Sequence, residues 1–235
     1  MQRSLLIVSL LALGQACTPH VFSPPGRTIA LEAPATVGDG ETAIQASGGA
    51  SGEIFGESIV HGGVRVRHGL TDVLELSVEA NALYLTNQDS PYESAAHRGI
   101  YGARLGVKRQ YTRHFALTGG LAGGGSAAGG FLSPDVGFIT GYDNPYFVPF
   151  FAGRLLLSQP LNTHEIVIAE NEEEDTFHTA QTTYGFALET GGRVPFGPRE
   201  DRTGAITGGM GLTFLGDGEE TRGFFGFALG LELNL

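Results

Sequence analysis

The sequence predicts an all-β fold, an antiparallel up-and-down transmembrane β-barrel of about ten strands, with eight the alternative count. Three observations predict it. From residue 40 on, apolar residues alternate with polar or small ones at a period of two, in segments separated by turn signals. The connections alternate between short turns and longer links, as in barrels that cross a membrane. The chain also holds 37 Gly but a single Lys, Lys108. Its polar faces are therefore not the lysine-rich faces that water-exposed strands carry.

Composition narrows the function classes. Hydrophobic residues make up 41% of the 235, enough for a packed domain. The formal net charge is −11, and loss of Arg3 with a cleaved leader would bring it near −12. That balance argues against nucleic-acid binding, which needs a basic face to displace counterions from phosphates. With one cysteine, Cys17, there is no internal disulfide and no paired-cysteine zinc motif, and no cofactor signature is present.

Taken in order, residues 1–16 read as a signal peptide. Arg3 is basic, and Ser4 to Leu13 form an apolar run too short to span a bilayer. Gly14-Gln15-Ala16 fits small-x-small cleavage before Cys17. The same stretch resembles a bacterial lipobox, which implies lipidation of Cys17; Leu13 lies one position too far upstream for that pattern, and Gln15 is atypical. The lipoprotein resemblance also makes Thr18 compatible with sorting to the outer membrane. Residues 17–39, rich in Pro, Gly and Thr, read as a periplasmic N-terminal tether or strap before the domain.

Residues 40–235 read as the barrel. Strands are expected at 41–50, 57–67, 73–86, 98–110, 114–125, 135–142, 145–157, 177–194, 203–215 and 222–235. Short turns are expected at His68–Asp72, Gln110–Arg113, Tyr142–Pro145 and, slightly longer, Gly197–Asp201; the longer links are 51–56, 87–97, 126–134, 158–176 and 216–221. In 73–86, Leu74, Leu76, Val78, Ala80, Ala82 and Tyr84 oppose Glu75, Ser77, Glu79 and Asn81. In 223–235, Phe225, Phe227, Leu229, Leu231, Leu233 and Leu235 oppose Phe224, Gly226, Ala228, Gly230, Glu232 and Asn234. The small positions Gly63, Gly102, Gly106, Gly226 and Gly230 suit a crowded lumen. An even strand number puts both termini on the periplasmic side and an anchor at Cys17 in the inner leaflet.

This pattern resembles the small bacterial outer-membrane β-barrels over residues 40–235. The stretch from His68 to Leu76 is similar to their periplasmic turn, and Phe224–Leu235 to the terminal strand read by the barrel-assembly machinery, although Leu235 replaces the usual aromatic residue. The resemblance implies a Gram-negative outer-membrane location, with outer-membrane lipid and the barrel-assembly machinery as partners.

The inward-facing ions are the candidate site: Arg65, Arg67, Glu75, Glu79, Arg104, Lys108, Arg154, Glu189, Arg193 and Glu232. In a narrow lumen such charges must pair, because an unpaired buried ion is costly. About a turn centred near residue 70, Arg65 is expected opposite Glu75. The network reads as a structural plug, with a selective pore as the alternative. The acidic run Glu170–Asp175 lacks the Asp-x-Asp-x-Asp-Gly calcium pattern and reads as a solvated loop. No histidine is followed two positions on by serine, the pattern of the lipid A deacylases. His97, His164 and His178, with Asp89 or Asp175, are candidates for a rim hydrolase of the Asp–His kind. Gly119–Gly125 lacks the Gly-Lys-Ser/Thr of a phosphate loop. The leading expectation is a non-enzymatic barrel, a structural or interaction component of the envelope with envelope proteins as partners, anchoring a complex such as adhesion or surface-motility machinery. A small pore or transporter is the alternative, and a rim hydrolase the third reading.

Overall fold

The computed structural model describes residues 22–53, 58–85, 99–169, 175–197 and 203–235. The described residues form twelve strands: β1 Thr42–Glu53, β2 Ser58–Thr71, β3 Leu74–Leu85, β4 Gly99–Thr112, β5 Phe115–Ser126, β6 Gly129–Gly141, β7 Val148–Leu161, β8 Ile166–Ala169, β9 Asp175–His178, β10 Thr183–Phe196, β11 Gly204–Gly216 and β12 Thr221–Asn234. Ten of them close a barrel, in the order β1-β12-β11-β10-β7-β6-β5-β4-β3-β2. Every neighbouring pair in it is antiparallel, and β1 closes on β12 with Ala43 opposite Asn234. The strand number is ten, not eight. β8 and β9 form a separate antiparallel pair that starts in the link expected at 158–176 and runs on to His178.

The period-two pattern sorts side chains between two environments. Leu105, Tyr101 and Leu229 stand 65%, 65% and 64% exposed on the outside, while Glu75 and Lys108 are 2% and 3% exposed inside. A soluble barrel would do the opposite; a barrel solvated by lipid turns its apolar face outward. Near the end of the barrel where the short turns lie, Tyr111, Phe115, Phe138 and Phe151 form a run of ring contacts with centroids 6.0–6.5 Å apart. Such a girdle suits the membrane–water interface, where a ring's apolar body meets lipid and its edge meets polar groups.

Three details differ from the sequence reading. The first turn is Asp72–Val73, not His68–Asp72, because Thr71 Oγ1 accepts hydrogen bonds from the Val73 and Leu74 amides and holds a two-residue connection. This carries β2 through Thr71 and sets Arg65 opposite Glu79, not Glu75. Residues 126–134 are not a long link. Ser126 pairs with Gly129 across a tight turn, and Gly129 takes a positive φ of 115° that a side chain would resist. Finally, Phe177 and His178 belong to β9, so β10 starts later than expected.

Candidate functional site in the barrel lumen

The lumen is occupied by the chain itself. Residues 22–39 were expected as a periplasmic tether; they run through the barrel interior as an extended strap. Pro24, Pro25 and Pro34 keep this segment out of helix, and beyond the bridge of Phe22 to Gln181 it joins no strand ladder. Its backbone amides and carbonyls must then find partners in the wall, and inward-facing side chains supply them. The Gly26 amide donates to Ser133 Oγ at 3.2 Å, the Ala30 amide to Glu189 at 2.9 Å and the Val37 amide to Glu75 at 3.0 Å. In return, strap carbonyls accept from the wall: Pro24 O from Ser158 at 2.6 Å, Gly26 O from Asn81 at 2.8 Å, Thr28 O from Arg154 at 2.6 Å and Ala35 O from Lys108 at 2.8 Å.

The strap also brings two ions. Arg27 reaches Glu79 at 2.9 Å and the strap's own Glu32 at 2.6 Å. Glu32 in turn pairs with Arg65, which also donates to the Leu31 carbonyl at 3.1 Å and to Gln45. Towards the short-turn end, Glu75 lies 3.1 Å from Lys108 and 3.4 Å from Arg67. Glu232 joins Arg67, at 2.5 Å, to Arg193, at 2.8 Å. Two further pairs line the wall: Arg154–Glu189 at 3.0 Å, and Arg104 with two 2.7 Å hydrogen bonds to Asp135. All ten lumen ions named from the sequence thus meet an ionic partner. The partners are not always those expected: Arg65 pairs with Glu32, and Glu75 with Arg67 and Lys108.

Sequence reasoning missed Arg27, Glu32, Gln45 and Asp135. Asp135 shares the inward parity of Gly137 and Ile139 on β6, but that strand had been started at residue 135, after its first half. Gln45 faces inward on β1, which lacked clear alternation. Arg27 and Glu32 had no visible signal, because a Pro-rich segment shows no periodicity that would place it in a core.

Between these ions Leu31, 4% exposed, packs in an apolar ring with Ile139, Phe150, Ala152 and Ala228. Gly209 and Gly230 on the wall make room for it. A Cβ there would lie 3.0 and 3.1 Å from the Leu31 methyls. A small apolar cavity of about 160 Å³ remains on one side of this ring, lined in part by Pro24, Ile29, Leu83, Leu215 and Phe224. A polar one of about 690 Å³ lies on the other, lined in part by Pro34, Arg67, Arg193 and Glu232.

Of the rim-hydrolase candidates, Asp89 and His97 lie outside the described residues, as do the side chains of Asp175 and His178. The His164 amide donates to Ala128 O at 3.0 Å. No group of three His, Cys, Asp or Glu among the described residues is placed to hold a metal ion. The acidic run from Glu170 to Glu174, Cys17 and the leader also lie outside the described residues.

A closed antiparallel barrel with an apolar exterior and an ionic interior is built to sit in a bacterial outer membrane. This chain is an outer-membrane β-barrel. No protein-family profile and no curated protein matches the barrel's sequence. Solved structures similar to it are of the same class. Neisserial surface protein A shares 13% identity over 82% of this chain and 95% of its own, at a TM-score of 0.42. The N-terminal barrel domain of Pseudomonas aeruginosa OprF shares 13% over 83% and 99%, at 0.37. OprG from Pseudomonas aeruginosa shares 10% over 87% and 99%, at 0.39. Likeness this slight shows the fold alone and says nothing of the barrel's role.

Proposed function

We propose that the protein is a non-enzymatic structural or interaction component of the cell envelope, an outer-membrane barrel sealed by its own N-terminal strap. One observation carries this reading: Leu31 fills the bore within the ring of Ile139, Phe150, Ala152 and Ala228, with the Arg27–Glu32–Arg65 cluster against it. A solute would have to displace a strap that is hydrogen bonded to inward-facing side chains of the wall along its length. Buried ions so arranged are costly to separate. The surfaces left to act are therefore the lipid belt, the loops and the chain ends, and the partners are lipid, the assembly machinery and envelope proteins. Lipidation of Cys17 belongs to the same proposal, supported by the lipobox-like stretch before it. Metabolic labelling with an alkyne fatty acid should mark the wild-type protein and not Cys17→Ala.

The lumen reading is tested by planar-bilayer recording of the purified, folded protein. The expected record is a flat baseline. Steady, ohmic current steps would overturn the sealed-barrel reading in favour of a pore.

A further inference from the structure

The strap has a direction, and the direction places one end of the chain. Its first described residues sit where β7 ends and β10 begins: Phe22 bridges Gln181, the Ser23 amide donates to Thr183 Oγ1 at 2.8 Å, and the Ser23 and Ser158 hydroxyls are hydrogen bonded at 2.8 Å. That is the end of the barrel bearing the β7–β10 link and its β8–β9 hairpin. The last strap residues sit at the opposite end, beside the β2–β3 turn. Thr36 Oγ1 donates to Asp72 O at 2.6 Å, and the Gly40 amide donates to Gly69 O at 2.9 Å. There Gly38 and Gly40, with φ of 106° and 70°, reverse the chain into β1. The C-terminus closes on that same end, the Leu235 amide donating to Thr42 O at 2.9 Å. A strand count alone would put both termini together; the strap sets Phe22 and Leu235 at opposite ends of the lumen.

We propose that the protein presents the part of its chain preceding Phe22 on the loop side of the membrane, with the lumen as its passage and the C-terminus on the opposite side. This rests on the sealed-lumen reading and names the piece that the sealed barrel holds out. The segment is held, not merely threaded: Ser23 is fully buried, and strap contacts recur at Gly26, Arg27, Ala30, Leu31 and Glu32 along the way. Cys17 lies five residues upstream of Phe22, within roughly 17 Å of extended chain. A group carried there belongs to the loop-side leaflet, not to the periplasmic leaflet that the sequence reading assigned to it.

The test uses the full-length chain in cells, with Cys17→Ser removing the native thiol. Three single-cysteine reporters are compared: Phe22→Cys at the strap's entry, Glu219→Cys in the exposed β11–β12 loop, and Asp39→Cys, exposed at the short-turn end. Each is treated with a membrane-impermeant maleimide before and after permeabilisation, and heat-modifiable gel mobility shows that each is folded. Phe22→Cys should label together with Glu219→Cys, and Asp39→Cys in the other condition. Labelling of Phe22→Cys together with Asp39→Cys would overturn the proposal. If Glu219→Cys needs permeabilisation and Phe22→Cys follows it, the membrane orientation is reversed while the threading stands. Current steps in the bilayer would sink the seal without touching this result. Should Phe22→Cys fail to fold, Ser23→Cys/Ser158→Cys replaces it. The two hydroxyls lie close enough for a disulfide. Mild oxidation should lock the strap, seen as a mobility shift lost on reduction, and absence of the crosslink in the folded barrel would overturn the threading.

Discussion

Glu75 shows how one residue can hold two layers of this molecule. It neutralises Lys108 and Arg67 on the wall while accepting the Val37 amide of the strap, and it is 2% exposed. Glu75→Lys would place a third cation among those two with no water to solvate it. A loss of about 3–5 kcal/mol is expected, the scale of breaking a buried pair. The rescue should be selective. Lys108→Glu should recover much of the loss by restoring opposite charges, and Arg65→Glu should recover none, because Arg65 pairs with Glu32. Urea midpoints of the detergent-folded barrel, read by heat-modifiable mobility, give the answer. Recovery by Arg65→Glu would mean that the β2–β3 register is the one with Arg65 opposite Glu75.

At the scale of elements, the strands and the strap answer to different solvents. On β4, Leu105 faces outward at 65% exposure while Arg104 beside it is 3% exposed. Leu105→Lys should therefore cost about 2–4 kcal/mol in a bilayer, as for a cation near the midplane of a barrel's lipid face. The same change should cost far less if that face met water, so refolding into lipid vesicles followed by urea titration separates the two cases. The strap behaves otherwise, since its stability comes from the wall. Replacing residues 22–37 with a Gly/Ser linker removes Arg27, Glu32 and Leu31 together. The wall then keeps Arg65, Arg154 and Lys108 without the strap carbonyls and carboxylate they now contact. The expected result is a barrel of lower urea midpoint that passes ohmic current where wild type passes none. A silent, strapless barrel would show that the wall closes the bore unaided.

For the whole molecule, orientation is the deciding property. Two-residue connections at Asp72–Val73 and Arg113–His114 lie at one end; the other bears the 21-residue link between β7 and β10, residues 162–182, beside one tight turn at Ala127–Ala128. Barrels of this class keep their turns periplasmic and their longer loops outside. An epitope placed near Asn171 should therefore be stained on intact cells. Staining only after permeabilisation would reverse the orientation and, with it, the face on which the strap's leading end emerges.

How much of this was legible in the sequence varied with the kind of constraint. Strands β2, β3, β4 and β12 could be read because period two records a local fact: each side chain meets lipid or lumen according to its parity, whatever its neighbours do. The single lysine and the small inward residues likewise told the lipid face from the water face. Parity also picks out which ions face inward, but not which ion each one meets. That depends on where a turn begins, and the Thr71 hydroxyl moved the first turn far enough to give Arg65 a new neighbour. The sequence by itself therefore determined a lipid-facing barrel with an ionic lumen, and the structure settled its strand number at ten rather than eight. Only the tertiary structure decided that residues 22–39 fill that lumen. The physical reason is that the strap has no repeat of its own: its place is set by backbone amides and carbonyls bonded to side chains as much as 160 residues away, and no local pattern encodes such partners.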